Sequence, residues 1–416
     1  MSGSVWDEVL DTEHATVLRT YIEQWPRKDR KPEKVLIIVV EAGEAHRFLC
    51  PECGQRGKPA EYDVKRWRTL DVHGKRAFLE ADLPRIRCPQ HGKITAAVPW
   101  ARHDDRFSRP FEEFAAWKAA HAAWSRVAAE LRITWEALAN IVARTAADAA
   151  AGTDRLDGLT MIGIDEKSWG KGSDKYLMII TNHLTGTVAW TGEGRCQDTV
   201  GKFFDALGPE RSKLLTHVSA DGAEWIHDVI RERAPQAAIC LDAFHIVKWA
   251  GEALDDLRRR TAAELRAAGK DDQAATLGKG MWALRKDYKK QSPGQRGTLA
   301  VIAADNKAMY KGYLMKEQLR EAIRTKGEDG KRLLRGMIGW AHRARIPEFR
   351  KLAVTLSRMR PLIDHTLDGG PSNGRAEALN AQVEALIHRA RGFRSATALM
   401  NMIHFVHGGL CPECPY

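Results

Sequence analysis

Long apolar runs are what this 416-residue chain most plainly lacks. No uninterrupted stretch approaches the roughly 18 residues that cross a bilayer, so no membrane span is predicted. The opening MSGSVWDEVLDTEH is acidic and holds no apolar segment. No signal peptide is therefore predicted, and the chain reads as cytosolic. Cysteine is scarce, seven in all, which in a reducing compartment argues against a disulfide framework. No repeat of fixed period is visible. Acidic residues are outnumbered, 54 against 65 basic, giving a net charge of +11 and a pI of about 9.3. That excess favours an anionic polymer as partner, with nucleic acid first. The composition, 44% hydrophobic and 29% charged, is that of a globular protein. The length calls for about two to four domains.

The few cysteines are clustered. CPEC at 50–53 and CPQH at 88–91 are two knuckles, each offering ligands three residues apart. A pair so spaced grips one ion from a tight turn, and two pairs complete a tetrahedron. Cys50, Cys53, Cys88 and His91 are read as a closed, structural zinc site, folding a module over residues 46–104. His46, His73 and His103 stand as alternative ligands. CPEC returns at 411–414 in the tail 409–416, as a second metal pair or a plain tail. Cys196 and Cys240 read as small buried hydrophobes.

Ahead of the module, residues 1–45 read as a helix-like stretch and then a strand, KVLIIVV. Behind it, 105–150 is Ala-rich with helical periodicity, and WSRVAAELRITWEALANIVA (124–143) has the length of a helix-turn-helix. Ala128 would lie where the helices approach; Ile133, Leu138, Ile141 and Val142 would form the core face; Thr134 would cap the second helix. Trp135, Glu136 and Asn140 would then face the DNA major groove. Arg132 occupies the turn position where glycine is usual, and an ordinary helical hairpin is the competing reading.

From 158 to 242 strand-length apolar runs come first (LTMIGID, KYLMIIT, GTVAW), then helix and strand alternate. That order predicts an α/β sheet of mixed direction. Acids sit at the strand exits: Asp165, Asp221 and Asp242. Residues 243–370 read as helices rich in Arg, Lys and Ala, and after a polar break comes one strong helix, 375–390. It carries Glu377, Asn380, Glu384 and His388 along one stripe, with Ser372 or Asn373 as cap. Two strand-end aspartates and a helix-borne glutamate suit two-metal phosphoryl transfer, where hard oxygen ligands select Mg²⁺ or Mn²⁺.

GIDEKSWGKG, VAWTGEGR, VSADGAEWI, LDAFHIVK and SNGRAEALNAQVEALIHRARGFR follow in order. Together with CPEC…CPQHG and VPWARHDDRFSRPFEEFAAW, they resemble the DDE transposases of the bacterial ISL-three insertion-sequence family across residues 45–405. The resemblance implies a multidomain α+β protein: an RNase H-like α/β catalytic core in two parts, 158–242 and 371–408, interrupted by the all-helical insertion 243–370. It implies that Asp165, Asp221 and Glu377 are catalytic and hold Mg²⁺ or Mn²⁺, with Glu166 and Glu384 as rivals at the first and third positions. Asp242 and His245, the Asp-x-x-His pair, and Asn380 would support the site. Position 378 is Ala where relatives often carry Gly. The implied partners are terminal inverted repeats and target DNA, bound by a homodimer or larger assembly on the nucleoid of a bacterial cytoplasm.

Cationic clusters are candidate phosphate contacts: Arg285, Lys286, Lys289, Lys290 and Arg296; Arg389, Arg391 and Arg394 beside His388; and Arg258, Arg259 and Arg260. Trp169 and Trp225, beside two of the acids, could stack on an unpaired base. Two other functions stay open: a zinc-finger and helix-turn-helix regulator with an inert core, and an RNase H-like nuclease without strand transfer.

Overall fold

A computed structural model describes residues 14–28, 30–172, 175–371, 374–390, 392–411 and 414, with backbone alone at 30 and 374–377. The chain divides into two compact units, Met1–Gly152 with Leu410–Tyr416, and Thr153–Gly409.

The first unit is built on strands β1 (Ala15–Arg27), β2 (Arg30–Ala42), β3 (Lys58–Val72), β4 (Lys75–Cys88) and β5 (Gly92–Thr95). They form one sheet in the order β1-β2-β4-β3, with β5 on the far end of β4. Residues 1–13 lie outside the description; for the described part of 1–45, the helix-like reading is corrected. ATVLRTYIEQWPR is a strand, paired antiparallel to β2 from Ala15↔Ala42 to Arg27↔Arg30. Its Thr, Val, Tyr and Ile residues suit a pleated, half-buried surface, and apolar β2 offers its main chain a partner. In β2, Val35, Ile37 and Ile38 are fully buried on alternating faces, as a central strand requires. The β3–β4 hairpin turns on His73 and Gly74, both with positive φ (46° and 71°). Such a two-residue turn matches the twist of its strands.

Three helices follow: α1 (Arg109–His121), α2 (Trp124–Leu131) and α3 (Trp135–Ala151). Ser108 Oγ accepts from Phe111 N–H and Thr134 Oγ1 from Ala137 N–H, capping α1 and α3. Val127, Ala128, Leu131, Leu138, Ile141 and Val142 are buried, whereas Ile133 is only half so. Arg132 is left-handed (φ 55°), which is why glycine is usual there. Its guanidinium pairs with Asp71, so an ion pair holds the strained residue.

The second unit contains β6 (Met161–Ser168), β7 (Tyr176–Asn182), β8 (Thr187–Glu193), β9 (His217–Ala220) and β10 (Ala238–Leu241) in the order β10-β9-β6-β7-β8. β6, β9 and β10 run parallel, and β7 and β8 complete an antiparallel meander. Ile162, Ile164, Met178, Ile180 and Val218 form the sheet's core with Val200, Phe203 and Phe204 of α4 (Gln197–Leu207) and Ile226 and Ile230 of α5 (Glu224–Arg233).

The helical segment begins with α6 (Ala243–Ala267), α7 (Asp271–Lys279), α8 (Met281–Arg285) and α9 (Pro293–Asp305). It continues with α10 (Lys307–Thr325), α11 (Gly327–Arg343), α12 (Pro347–Arg358) and α13 (Arg360–Leu367). It has its own core, including Leu254, Leu257, Met309, Tyr313, Leu319 and Phe349. α13 covers the edge strand β10: Thr366 Oγ1 donates to the Leu241 carbonyl at 2.9 Å and His365 Nδ1–H to that of Ile239 at 3.0 Å. An exposed edge with unpaired carbonyls would invite another strand, and these bonds close it.

The chain returns as α14 (Gly374–Arg389) and α15 (Ala396–His407). Serines 372 and asparagine 373, the expected cap, lie outside the described residues. Both helices fall within residues 371–408, the second part of the expected core. α15 packs on β8, where His404 Nε2 meets Thr191 Oγ1 at 2.8 Å.

Burial brings the His404 imidazole down from its ordinary 6.5 to about 3. Between those values the unfolded chain binds a proton that the native protein refuses, so stability falls as pH drops below about 6.5. Melting temperatures should therefore decline on acidification, and His404→Leu should flatten that decline; an unchanged slope would show that other groups set it.

Candidate functional site

Parallel strands in one sheet deliver their carboxyl ends to the same edge. β6 brings Asp165 there, not as its last residue as expected but within the strand, because pairing with β7 carries β6 on to Ser168; Asp221 and Asp242 leave the ends of β9 and β10. The three aspartates line one pocket together with Ser219, His245 and Asn380. Each carboxylate is oriented. Asp165 Oδ1 accepts from Glu166 N–H at 2.8 Å and its Oδ2 from Asn380 Nδ2. Asp221 Oδ1 accepts from Ala223 N–H at 3.0 Å. Asp242 Oδ1 caps α6 through Phe244 N–H at 2.7 Å, and its Oδ2 meets His245 Nδ1 at 3.0 Å.

Burial, followed by the Glu166 N–H that opposes it, and then His245 and the repelling charge of Asp242, leave the Asp165 carboxyl above its ordinary value. His245 is raised by its bond to Asp242, despite burial. Anionic oxygens concentrated where water is scarce are the setting a divalent cation relieves. The Asn380 Oδ1 and Glu166 Oε1 atoms are buried without a hydrogen-bond partner. Hard oxygen donors of this kind fit Mg²⁺ or Mn²⁺. The aspartates do not form a closed cage, since among the described residues only the cysteine cluster below brings three or more ligand atoms together.

Position 377 lies on α14 one turn before Asn380, so the helical period sets both on one side of that helix. The Glu377 side chain is outside the described residues. Its rival Glu384 is taken by Lys167 at 2.9 Å, and Glu166 by Arg195 at 2.6 Å. Three residues beside the pocket went unread in the sequence. Arg195 is one. His227, fully buried, donates from Nε2 to the Asp221 carbonyl at 2.8 Å. His183 Nε2 meets Ser219 Oγ at 2.7 Å beneath Gly163, where a Cβ would lie 2.9 Å from the imidazole. A lone histidine on the apolar face of AEWIHDVI was the available signal for His227.

In the first unit, the ligand atoms of Cys50, Cys53, Cys88 and His91 all lie within 4.8 Å of one another. The Cys50 Sγ–His91 Nδ1, Cys53 Sγ–Cys88 Sγ and Cys88 Sγ–His91 Nδ1 separations are 3.5, 3.6 and 3.7 Å. Zinc bonds of about 2.3 Å to sulfur and about 2.0–2.1 Å to nitrogen give tetrahedral edges of about 3.8 and about 3.6 Å. The cluster fits that ion. The alternative ligands are elsewhere engaged: His46 stacks on His14, His73 makes the hairpin turn, and His103 faces Asp104. Cys411 and Cys414 flank residues outside the description.

Other expectations are revised. Cys240 is buried but Cys196 is exposed, because it precedes α4 at the surface. Trp135 is half-buried against Trp124, ring centroids 5.1 Å apart, while Glu136 and Asn140 are exposed. Arg258, Arg259 and Arg260 are drawn into ion pairs with Asp255, Asp256 and Glu348. Trp225 packs on the sheet core, and Trp169 carries the Lys175 ammonium 5.1 Å from its ring. Arg285 pairs with Asp255 at 3.2 Å; Lys286, Lys289 and Lys290 are exposed. Arg389 and Arg394 are exposed, and Arg391 lies outside the described residues.

Residues 162–403 match the ISL3-type DDE family model described as "Transposase". Residues 46–91 match a model described as the zinc-finger of transposase IS204/IS1001/IS1096/IS1165. The chain is 40% identical over 422 residues to the transposase for insertion sequence element IS1557 of Mycobacterium tuberculosis, strains CDC 1551 / Oshkosh and H37Rv, covering 95% of this chain and 94% of the relative. It is 24% identical over 305 residues to the transposase for insertion sequence element IS1001 of Bordetella parapertussis, covering 71% of this chain and 72% of that one.

Elemental analysis should find one zinc per chain, and Cys88→Ser should remove it and lower the melting temperature of the first unit. Zinc retained in that variant would assign the metal to other residues.

Proposed function

The chain belongs to the ISL3 family of DDE insertion-sequence transposases, and from that premise we propose that Asp165, Asp221 and Glu377 are its metal-holding triad, carried by an RNase H-like core. One observation supports this most: Asp165 and Asp221 line one pocket, and α14, which carries Glu377, is tied to Asp165 through Asn380. Divalent ions, Mg²⁺ or Mn²⁺, when bound there, supply activation of the attacking oxygen and stabilisation of the leaving one.

The chain's own residues hold and orient. Asp165, from within β6, and Asp221, from just past the end of β9, present carboxylate oxygens on a rigid sheet, each already fixed by a main-chain N–H. Asn380 holds Asp165 against rotation, and Asp242 holds His245 beside it. Water attacks a phosphodiester at the end of the element, releasing a 3′-OH. That hydroxyl then attacks target DNA in a second in-line displacement. No side chain becomes bonded to DNA, so no serine or tyrosine nucleophile is needed.

DNA is the partner, and its contacts are assigned as follows. Helices α2 and α3 act as a helix-turn-helix, with Asn140 and Glu136 toward the groove and Trp135 bracing the helix against Trp124. Lys286, Lys289, Lys290, Arg389, Arg391 and Arg394, with Arg285 at their margin, neutralise phosphates. The zinc is structural. Two DNA ends require two active sites, so a homodimer or larger assembly forms on DNA in the bacterial cytoplasm, at the nucleoid. No described helix is long and apolar enough to cross a membrane.

Cleavage of a DNA carrying the element's own ends, with Mg²⁺ and with EDTA, tests the triad. Asp165→Asn, Asp221→Asn and Glu377→Gln should each lower cleavage by about a thousandfold or more while DNA binding persists. Glu384→Gln, which weakens only surface pairs with Lys167 and His388, should stay within about threefold. Full activity in Glu377→Gln with loss in Glu384→Gln would move the third acid to Glu384, two turns along the stripe. Asn380→Ala should lose about 10–100-fold, partly restored by raised Mg²⁺, as removal of a residue that orients a metal ligand does. A loss indifferent to metal concentration would make Asn380 a packing residue.

A further inference from the structure

Large apolar side chains scattered singly on a surface need no explanation. In α8 and the short corner segment that joins it to α9, two occur close in sequence. Trp282 is 58% exposed and Tyr288 is 52% exposed, and Trp282 is the one exposed tryptophan among the described residues. Each ring is already covered on one side by a guanidinium. Arg285 lies 6.0 Å from the Trp282 centroid and Arg296 lies 5.4 Å from that of Tyr288. A cation over one face of a ring leaves the other free to stack. Lys286, Lys289 and Lys290, all exposed, belong to the same short segment.

The corner is rigid, and an unusual group makes it so. Lys316 of α10 is 1% exposed, and its Nζ donates to the carbonyls of Leu284, Arg285 and Lys286 at 2.6, 3.2 and 3.3 Å. Those carbonyls lie at and just past the end of α8, where no further helical turn supplies N–H donors. Gln291, also buried, donates from Nε2 to the Ala283 carbonyl at 2.7 Å. Asp287 Oδ1 accepts from Lys289 N–H at 3.1 Å, and its Oδ2 pairs with Arg324 at 2.6 Å. A buried ammonium is expensive to desolvate, and a solvated loop needs none. Here it pins the backbone from which two aromatic rings and three lysines project.

We propose that the α8–α9 corner is a stacking platform for unpaired DNA: bases lie on Trp282 and Tyr288, while Lys286, Lys289 and Lys290 hold the phosphates. Aromatic faces accept any base, and neighbouring cations follow the backbone, which is how proteins bind single strands without sequence preference. The proposal rests on the reading that this segment contacts DNA and adds which form of DNA it takes. A duplex hides its base faces, so the two aromatic rings serve only strands that have opened.

Fluorescence anisotropy of the full-length protein separates the two claims. The probes are an oligothymidylate of about 20 nucleotides and a duplex of equal length. Trp282→Ala and Tyr288→Ala should each weaken oligothymidylate binding by about fivefold to a hundredfold, and duplex binding by less than about twofold. Trp282→Phe should recover most of the loss. Lys289→Gln with Lys290→Gln should weaken both probes and reduce the salt dependence of binding. Unchanged oligothymidylate binding in both aromatic variants, with loss in the lysine variant, overturns the platform but leaves the DNA contact standing. No change in any variant removes both. Circular dichroism checks that each variant is folded. If the aromatic variants instead lose self-association in sedimentation while binding the oligonucleotide normally, the rings belong to a protein contact and the proposal fails.

Discussion

One amide hydrogen bond joins parts of the candidate site that are 215 residues apart: Asn380 Nδ2 donates to Asp165 Oδ2. Asp165 sits on the central strand of the sheet, and Asn380 on the helix that returns after the whole helical insertion. A carboxylate on a strand is free to turn about its side-chain torsions unless something holds it. Here a main-chain N–H holds one oxygen and this amide the other. The bond also sets how α14 approaches β6, and through that approach where residue 377 can lie.

The insertion can occupy this place because it is self-sufficient. It buries its own apolar cluster around Leu254, Met309 and Phe349 and asks little of the sheet beyond cover for one edge. Thr366 and His365 provide that cover by bonding carbonyls of β10. The return of the chain is thereby anchored close to where it left, since β10 runs directly into α6 and α13 lies against β10. A long excursion that begins and ends on one strand leaves the carboxylates of neighbouring strands undisturbed.

Buried polar groups do the positioning throughout. Lys316 fixes the corner below Trp282, and His227 fixes the carbonyl of Asp221. In the first unit, Glu112 is 1% exposed between Arg102 and Arg144. Charges in such places are tolerated only with partners, and once partnered they fix one arrangement. The zinc cluster acts in the same way: four ligands from two turns leave its small hydrophobic cluster, with Ile86 at its centre, no freedom to rearrange.

Strand and helix positions from 158 to 242 were legible because period and length agree there: MIGID, KYLMIIT and GTVAW are short and β-rich, although the first strand runs past its acid to Ser168, an extension that only pairing with β7 decides. The zinc ligands were legible from spacing, since two ligands on one turn need no tertiary information. ATVLRTYIEQWPR was not, because its local pattern is ambiguous and only the apolar neighbour β2 made it a strand. The acids could be named in sequence, but their shared pocket depends on three strands running parallel, which no local pattern specifies. Arg195, His227 and Lys316 escaped notice because a side chain's partners lie elsewhere in the chain, and spacing carries no record of them. The sequence by itself determined the ligand types, the elements that carry them and the chemistry they suit. Tertiary structure alone decided which groups meet and which charges are buried, because hydrogen bonds and desolvation act through space rather than along the chain.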